Sequence, residues 1–332
     1  MIIASYTNAY TLKDSESTRF SFSKITSDSE PINKSISLAN GKLDIHHRHK
    51  LFKGSASVHQ CCGLWEFGGY LERSDINEAI VLGRITQHEN WFDEAVVEWL
   101  EIGTETPSDV NDTSVYHHSV VTNFFKYKPN EPALILFDVK GTFDTAESAW
   151  NLLCKVDPTL KFIGHLTVHS TTSYIKVAST GKQLVGADGF HFYCLVKNGA
   201  DIPRYGDLFA KRAWLLGHGR IEISDTGDYL QPQLVNTEAF NPSNAIYEAP
   251  PDLDEEIVQE KPSLPFYTGG VLDTEKFEDL DQQEESYYRR LVRDAQELKD
   301  RNIVKSMGPN FKSSDFETHR HPDCIRLIET YT

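Results

Sequence analysis

The stretch whose reading decides the fold is Ala133-Leu134-Ile135-Leu136-Phe137-Asp138-Val139-Lys140, a β-favouring run that ends in an acid and a lysine. Its apolar residues do not alternate with polar ones. Both faces are therefore expected to be covered, and the run reads as a central buried strand whose end emerges into a site. Lys128-Pro129-Asn130-Glu131 supplies the turn before it, and Val120 to Phe125 reads as the preceding strand. Side chains alternate along a strand, so Asp138 and Lys140 share a face and stand roughly 6 to 7 Å apart. A second run, Gly189-Phe190-His191-Phe192-Tyr193-Cys194-Leu195-Val196, sets a histidine among aromatic residues.

Between and around these runs the pattern turns helical. Thr145 to Val156 gathers Ala146, Ala149, Trp150, Leu152 and Leu153 on one face before Pro158, and Leu208 to Leu216 is broken by Gly217-His218-Gly219. Leu166 to His169 reads as a strand. Ile221 to Ser224 and Gln233 to Asn236, with a turn at Asp225-Thr226-Gly227-Asp228, read as a hairpin. Upstream, Asp75 is placed to cap a helix carrying Ile76, Ile80 and Val81, and Asp93 one carrying Val96, Val97 and Leu100. Residues 1–40, rich in Ser, Thr, Asn and Lys, predict loosely ordered strands or loops. After Pro250-Pro251 a Pro-rich stretch leads to Gly269-Gly270, and Leu280 to Asn302 reads as a charged helix. Strands interspersed with helices imply an α/β (α+β) fold with a mixed sheet. The divisions are an N-terminal elaboration (1–74), a core (75–251), an acidic Pro/Gly linker (252–278) and a helical tail (279–332).

Composition narrows the function classes. A formal charge of −16 opposes nonspecific, salt-driven coating of nucleic acid. The charge is uneven: from Asp252 to Glu285 the only cations are Lys261 and Lys276, whereas the first sixty residues carry a small basic excess, so a local basic groove stays open. The 5 cysteines are odd in number and scattered, which predicts reduced thiols. No apolar stretch is long enough to span a bilayer, and the start lacks the pattern of a signal peptide, so the chain is expected in the cytoplasm, away from membranes. His46-His47-Arg48-His49, His117-His118 and His319-Arg320-His321 lack an accompanying carboxylate pattern and read as solvated or capping residues.

The chemistry expected at the strand end follows from its residue types. Two-metal nucleotidyl transfer needs carboxylates, two of them commonly from one strand, that hold ions about 3.5 to 4 Å apart. Asp138-Val139-Lys140 offers one acid and a competing cation.

The block from Leu134 to Pro251 resembles the archaeo-eukaryotic primase superfamily, specifically the primase-polymerases of phages, plasmids and other mobile elements. The matching pieces run in order. They are Phe137-Asp138-Val139-Lys140, His169-Ser170-Thr171-Thr172-Ser173, Gly189-Phe190-His191-Phe192-Tyr193, Arg212-Ala213-Trp214-Leu215-Leu216-Gly217-His218-Gly219, Gln233-Leu234-Val235-Asn236 and Tyr247-Glu248-Ala249-Pro250-Pro251. The resemblance implies a primase-polymerase-like core acting in DNA replication. Asp138 would be catalytic and hold Mg²⁺ or Mn²⁺, and His191 would be catalytic and contact phosphate. Ser170, Thr171, Thr172, Ser173, Lys140 and Arg212 would bind nucleotide.

The implied partners are a DNA template, nucleoside triphosphates and a separate helicase or replication protein, because no phosphate loop of the GxxxxGK[ST] type is present. Lys140 and Asn236 stand where the resemblance places acids; Asp144, Glu147, Glu222 and Asp225 are the substitutes within reach of a shifted register. Two readings follow. One is a template-directed nucleotidyltransferase, which requires at least two carboxylates converging on a point beside His191. The other is a degenerate accessory that binds nucleic acid or nucleotide without turnover, with the Lys140 ammonium in place of a metal. For Ser170 to Ser173 a plain turn and a triphosphate-holding loop stay equally open.

Overall fold

The computed structural model describes residues 17–28, 30–46, 54–87, 90–91, 94–97, 125–139, 143–218, 222–223, 229–230, 234–263 and 266–300. Where residues 1–40 predict loosely ordered strands or loops, the described part forms strands, and the first of them is well buried; residues 1–16 and 29 lie outside the described residues. Phe20, Phe22 and Ile25 are all buried on β1 (Arg19–Ser27). The hairpin β2 (Ser35–Ala39) and β3 (Lys42–His46) turns through Asn40 and Gly41, whose φ angles of 53° and 75° suit these two residue types. Strand β4 (Gly54–Cys62) pairs antiparallel with β1 along its whole length and leads into α1 (Leu64–Leu71).

Two expected helices are not formed. Ile80 and Val81 lie on β5 (Glu78–Val81), which pairs with β1. After β6 (Arg84–Gln87) and β7 (Asn90–Trp91), Val96 and Val97 lie on β8 (Glu94–Val97), paired with β4. The β-branched content of these short runs, with strand partners on offer, outweighs their helix-compatible spacing. Then come β9 (Phe125–Lys126) and β10 (Ala133–Val139). Helix α2 (Ala146–Val156) has Thr145 as its N-cap, the Thr145 hydroxyl accepting from the Ser148 amide.

Strands β11 (His165–His169), β12 (Ile175–Val177), β13 (Gln183–Val185) and β14 (Phe190–Val196) follow, then α3 (Ile202–Leu215), which starts six residues before the expected Leu208. The expected hairpin exists, but β15 (Glu222–Ile223) pairs with β16 (Tyr229–Leu230). Val235 instead bridges to Val139. The chain closes with β17 (Ala245–Ile246), β18 (Asp252–Leu253), β19 (Ile257–Gln259), β20 (Phe266–Tyr267) and α4 (Gln282–Asp300). The fold is mixed α/β with several small sheets.

Two of the sheets position the site. One has the order β17-β5-β1-β4-β8, the other β10-β14-β11-β20. The decisive run is thus buried but not central: β14 lies inside the sheet and β10 at its edge, its outer side met near its end by the Val139–Val235 bridge. Uniform apolarity reports cover on both faces, not rank within a sheet. On one face Phe137 packs on Tyr205 and Phe209 of α3, and Phe192 on Trp150 of α2. On the other, Tyr193 meets Phe67 of α1, which also touches Phe20 and Phe22 of β1. One apolar core therefore runs from Phe20 to Leu272. The described cysteines are free, and among the described residues no helix is long and apolar enough to cross a membrane.

Candidate functional site

Register builds the site. Antiparallel pairing sets Asp138 directly opposite His191, and His191 opposite Val168, so an acid and an imidazole project side by side from one face. Tyr193, two residues on, projects from the same face. The fourth member comes from elsewhere. Glu248 follows β17, which belongs to the five-stranded sheet, and its carboxylate reaches across to the four-stranded one.

The contacts are close. His191 Nδ1 lies 2.6 Å from Glu248 Oε1, and Nε2 lies 3.4 Å from Asp138 Oδ1. The Tyr193 hydroxyl donates to the same Glu248 Oε1. Asn236 donates twice to Asp138, through Nδ2 to Oδ2 at 3.0 Å and through its backbone amide to the carbonyl at 2.9 Å. The Glu248 side chain is only 1% exposed, whereas His191 and Asp138 keep 15% and 16%, so the open side of the cluster is its Asp138 side.

Charge follows from this geometry. Burial alone would drive the proton off His191, but the Glu248 carboxylate and Asp138 together override it and raise the imidazole to about 10. Burial would raise the Glu248 carboxyl, but the imidazolium and the Tyr193 hydroxyl bring it below the usual range. The pair is therefore an imidazolium held between two carboxylates. Nearby, Lys261 donates to the His169 carbonyl at 3.4 Å. Its ammonium is lowered by burial and by Lys34, against the opposing pull of Glu248.

The remaining expected residues separate into three groups. Thr171, Thr172 and Ser173 are buried and Ser170 half-buried. Their hydroxyls serve the loop itself: Thr172 donates to Asp188 Oδ2 at 2.8 Å, Ser170 and Thr172 share a bond of 3.1 Å, and Ser173 accepts from the Asp188 amide at 2.9 Å. Gln259 ties the loop down by donating to the carbonyls of Thr171 and Ser173. Arg212, on α3, faces the C-terminal segment, where Nη2 donates to the Glu278 carbonyl at 3.0 Å and the guanidinium lies over Phe277. Lys140, Asp225, His47, Arg48, His49, His117, His118 and the histidines at 319 and 321 lie outside the described residues.

Fit to a divalent ion is decided by the donor set. Two carboxylates do flank His191, but the imidazole ring itself fills the space they share. Both of its nitrogens face carboxylate oxygens, Nδ1 at 2.6 Å and Nε2 at 3.4 Å, so neither is directed at open space where a metal would sit. Asp138 already receives Asn236, and one Glu248 oxygen takes two hydrogen bonds. Among the described residues no group of three His, Cys, Asp or Glu side chains is placed to hold a metal. Mg²⁺ commonly takes one or two carboxylates and completes its octahedron with waters and substrate phosphates, and here three of the four carboxylate oxygens of Asp138 and Glu248 already face His191, Tyr193 or Asn236.

Glu248 is the functional candidate that sequence reasoning passed over. Its local pattern carries no signal of this: an acid between Tyr247 and Ala249, just before two prolines, reads as exposed, and only the fold buries it. No family model, curated protein or solved structure matches the chain.

Proposed function

We propose that this chain is a primase-polymerase-like protein of mobile-element DNA replication whose acidic site serves binding, so that it takes up nucleotide or nucleic acid without turnover. The observation that supports this reading is the His191 imidazolium between Asp138 and Glu248, with Asn236 on the second oxygen of Asp138. A fixed internal cation does there what a metal would otherwise do: it compensates buried carboxylates. It cannot activate a hydroxyl as a metal does, because it contributes no open coordination position.

Mechanistically, the residues bind and orient. His191 holds its proton and fixes Asp138; Glu248 and Tyr193 fix the ring; Asn236 fixes the carboxylate plane. A phosphate entering from the Asp138 side would have to take the place of Asp138 Oδ1 at His191 Nε2, the longer of the two ring contacts at 3.4 Å, with Lys261 and Lys34 supplying longer-range positive potential. The deciding experiment has two arms. Calorimetric titration of a nucleoside triphosphate in EDTA is expected to show binding. Primer extension with Mg²⁺ or Mn²⁺ is expected to show none above an Asp138→Ala control. Extension that depends on Asp138 would overturn the reading in favour of a template-directed nucleotidyltransferase.

A further inference from the structure

Helix α4 buries none of its side chains from Gln282 to Asp294. A helix with so little cover is held by something other than a core. What holds it is charge. Asp273 pairs with Lys197 at 2.8 Å and Asp279 with Arg204 at 2.9 Å. Glu284 lies 3.6 Å from Arg212, and Glu285 3.6 Å from Lys211. Four cations, three of them on α3, thus face the acids of one continuous segment, while Arg204 is also held by Asp201 at 2.6 Å and Lys211 by Asp207 at 3.0 Å. Its near end is anchored, since Thr274 is buried and Phe277 packs on Tyr205. From Glu278 onward the attachments are ion pairs, one of them through an Asp279 that is 76% exposed, the hydrogen bond from Arg212 to the Glu278 carbonyl, and ring contacts of Tyr288 with Trp214 and Lys211.

A second observation shows what the closed arrangement leaves undone. Arg212 Nε and the Trp214 indole Nε1 are buried beneath this segment without an acceptor, and Trp214 is only 6% exposed. Both groups only donate, so the missing partner is an acceptor. Phosphate oxygens are acceptors of that kind, and an indole freed from Tyr288 offers a base a stacking face.

We infer that the α3 face bearing Arg204, Lys211, Arg212 and Trp214 is a surface for single-stranded nucleic acid, closed in the absence of a strand by the acidic segment Glu278 to Glu285 and helix α4. This rests on the reading of the chain as a nucleic-acid or nucleotide binder. The carboxylates stand in for phosphates, and a strand competes with them. The Asp279 pair is exposed and those of Glu284 and Glu285 are half-buried and long at 3.6 Å, so each is individually weak and open to salt, which is what a displaceable cover requires.

The test uses the full chain carrying Asp279→Asn, Glu284→Gln and Glu285→Gln, against a charge-matched control carrying Glu72→Gln, Glu255→Gln and Glu256→Gln. Binding of a labelled oligothymidylate is followed by anisotropy over a salt series. The cover variant is expected to bind about tenfold tighter than the control at low salt, because the open fraction sets the apparent affinity. The unaltered chain is expected to show a shallower salt slope than the cover variant, since salt also opens its cover. Hydrogen exchange on the unaltered chain is expected to show α4 losing protection when the strand binds. Equal affinity of variant and control, or unchanged α4 protection in the bound state, overturns the inference. A triphosphate titration alongside separates the two claims: nucleotide uptake without strand gain fails this surface alone, and strand gain without nucleotide uptake fails the pocket alone.

Discussion

Replacing Glu248 by Gln keeps the shape of the side chain and removes its charge. In the folded protein Oε1 still accepts from His191 Nδ1 and from Tyr193, so the perturbation is electrostatic rather than a cavity. Two routes give its size. Removing one partner of a buried ion pair costs about 3–5 kcal/mol. As an upper bound, an imidazole held at about 10 is about 3 pH units above a working pH of 7, worth about 4 kcal/mol at about 1.4 kcal/mol per unit, a total that Glu248 shares with Asp138. The amide NH₂ of Gln would also occupy the place of Oε2, which is buried without a partner, and that adds to the loss. The expected result is a loss of about 3–5 kcal/mol in denaturant unfolding at pH 7. His191, followed by NMR with labelled histidine, should titrate near or below its ordinary value in the variant, because burial persists and only Asp138 remains. A stability change under about 1 kcal/mol, or a His191 that already titrates in its ordinary range in the unaltered chain, would refute the imidazolium clamp.

The same pair sets a pH profile. Because the folded-state His191 value is raised, its stabilisation is whole below the ordinary imidazole value and is lost as pH climbs from about 6.5 through about 10. Because Glu248 is lowered, its share is present above the ordinary carboxyl value and is lost on acidification through the lower folded value. Unfolding free energy measured across this range should therefore peak in the mildly acidic region; a flat profile from neutrality to about pH 10 would contradict it. Gly206→Ala, which in an exposed helix would stabilise, should instead cost about 1–3 kcal/mol, because an added Cβ would lie 2.4 Å from the Phe240 ring; a raised Tm would count against the packing described. Tyr205→Phe removes a buried hydroxyl that donates to Asp157 Oδ2 at 2.8 Å. It should cost about 1.5–3 kcal/mol in chemical denaturation, and an unchanged midpoint would contradict that bond.

How much was legible in the sequence depended on whether local chemistry or distant pairing decided each element. The run from Ala133 to Val139 and the run from Phe190 to Val196 declared themselves by apolarity, and α2 by its face and its Thr145 cap. The segment after Asp75 did not, because Ile76, Ile80 and Val81 satisfy a helical spacing almost as well as a strand, and the choice is made by pairing with β1, about fifty residues earlier. The outer position of β10 was equally hidden: two covered faces look alike in sequence whether a strand has one neighbour or two. Within the site, Asp138 and His191 were each readable, yet their side-by-side placement is a matter of register, which a one-residue slip would abolish. Glu248 is separated from His191 by the whole of α3 and the hairpin, and only the folding of one sheet over the other brings it in. Arg212, read as a phosphate contact, is engaged by the chain's own C-terminal segment, through the Glu278 carbonyl at the end of the expected linker and the Glu284 carboxylate on the expected charged helix.

The central claim is that the site holds a built-in cation and binds without turnover. Its most direct test is a calorimetric titration of the full chain with a nucleoside triphosphate in EDTA, repeated with His191→Ala. The account predicts binding in the unaltered chain without added metal and its loss in the variant. Binding that appears only when Mg²⁺ or Mn²⁺ is supplied, and that survives His191→Ala, would contradict it.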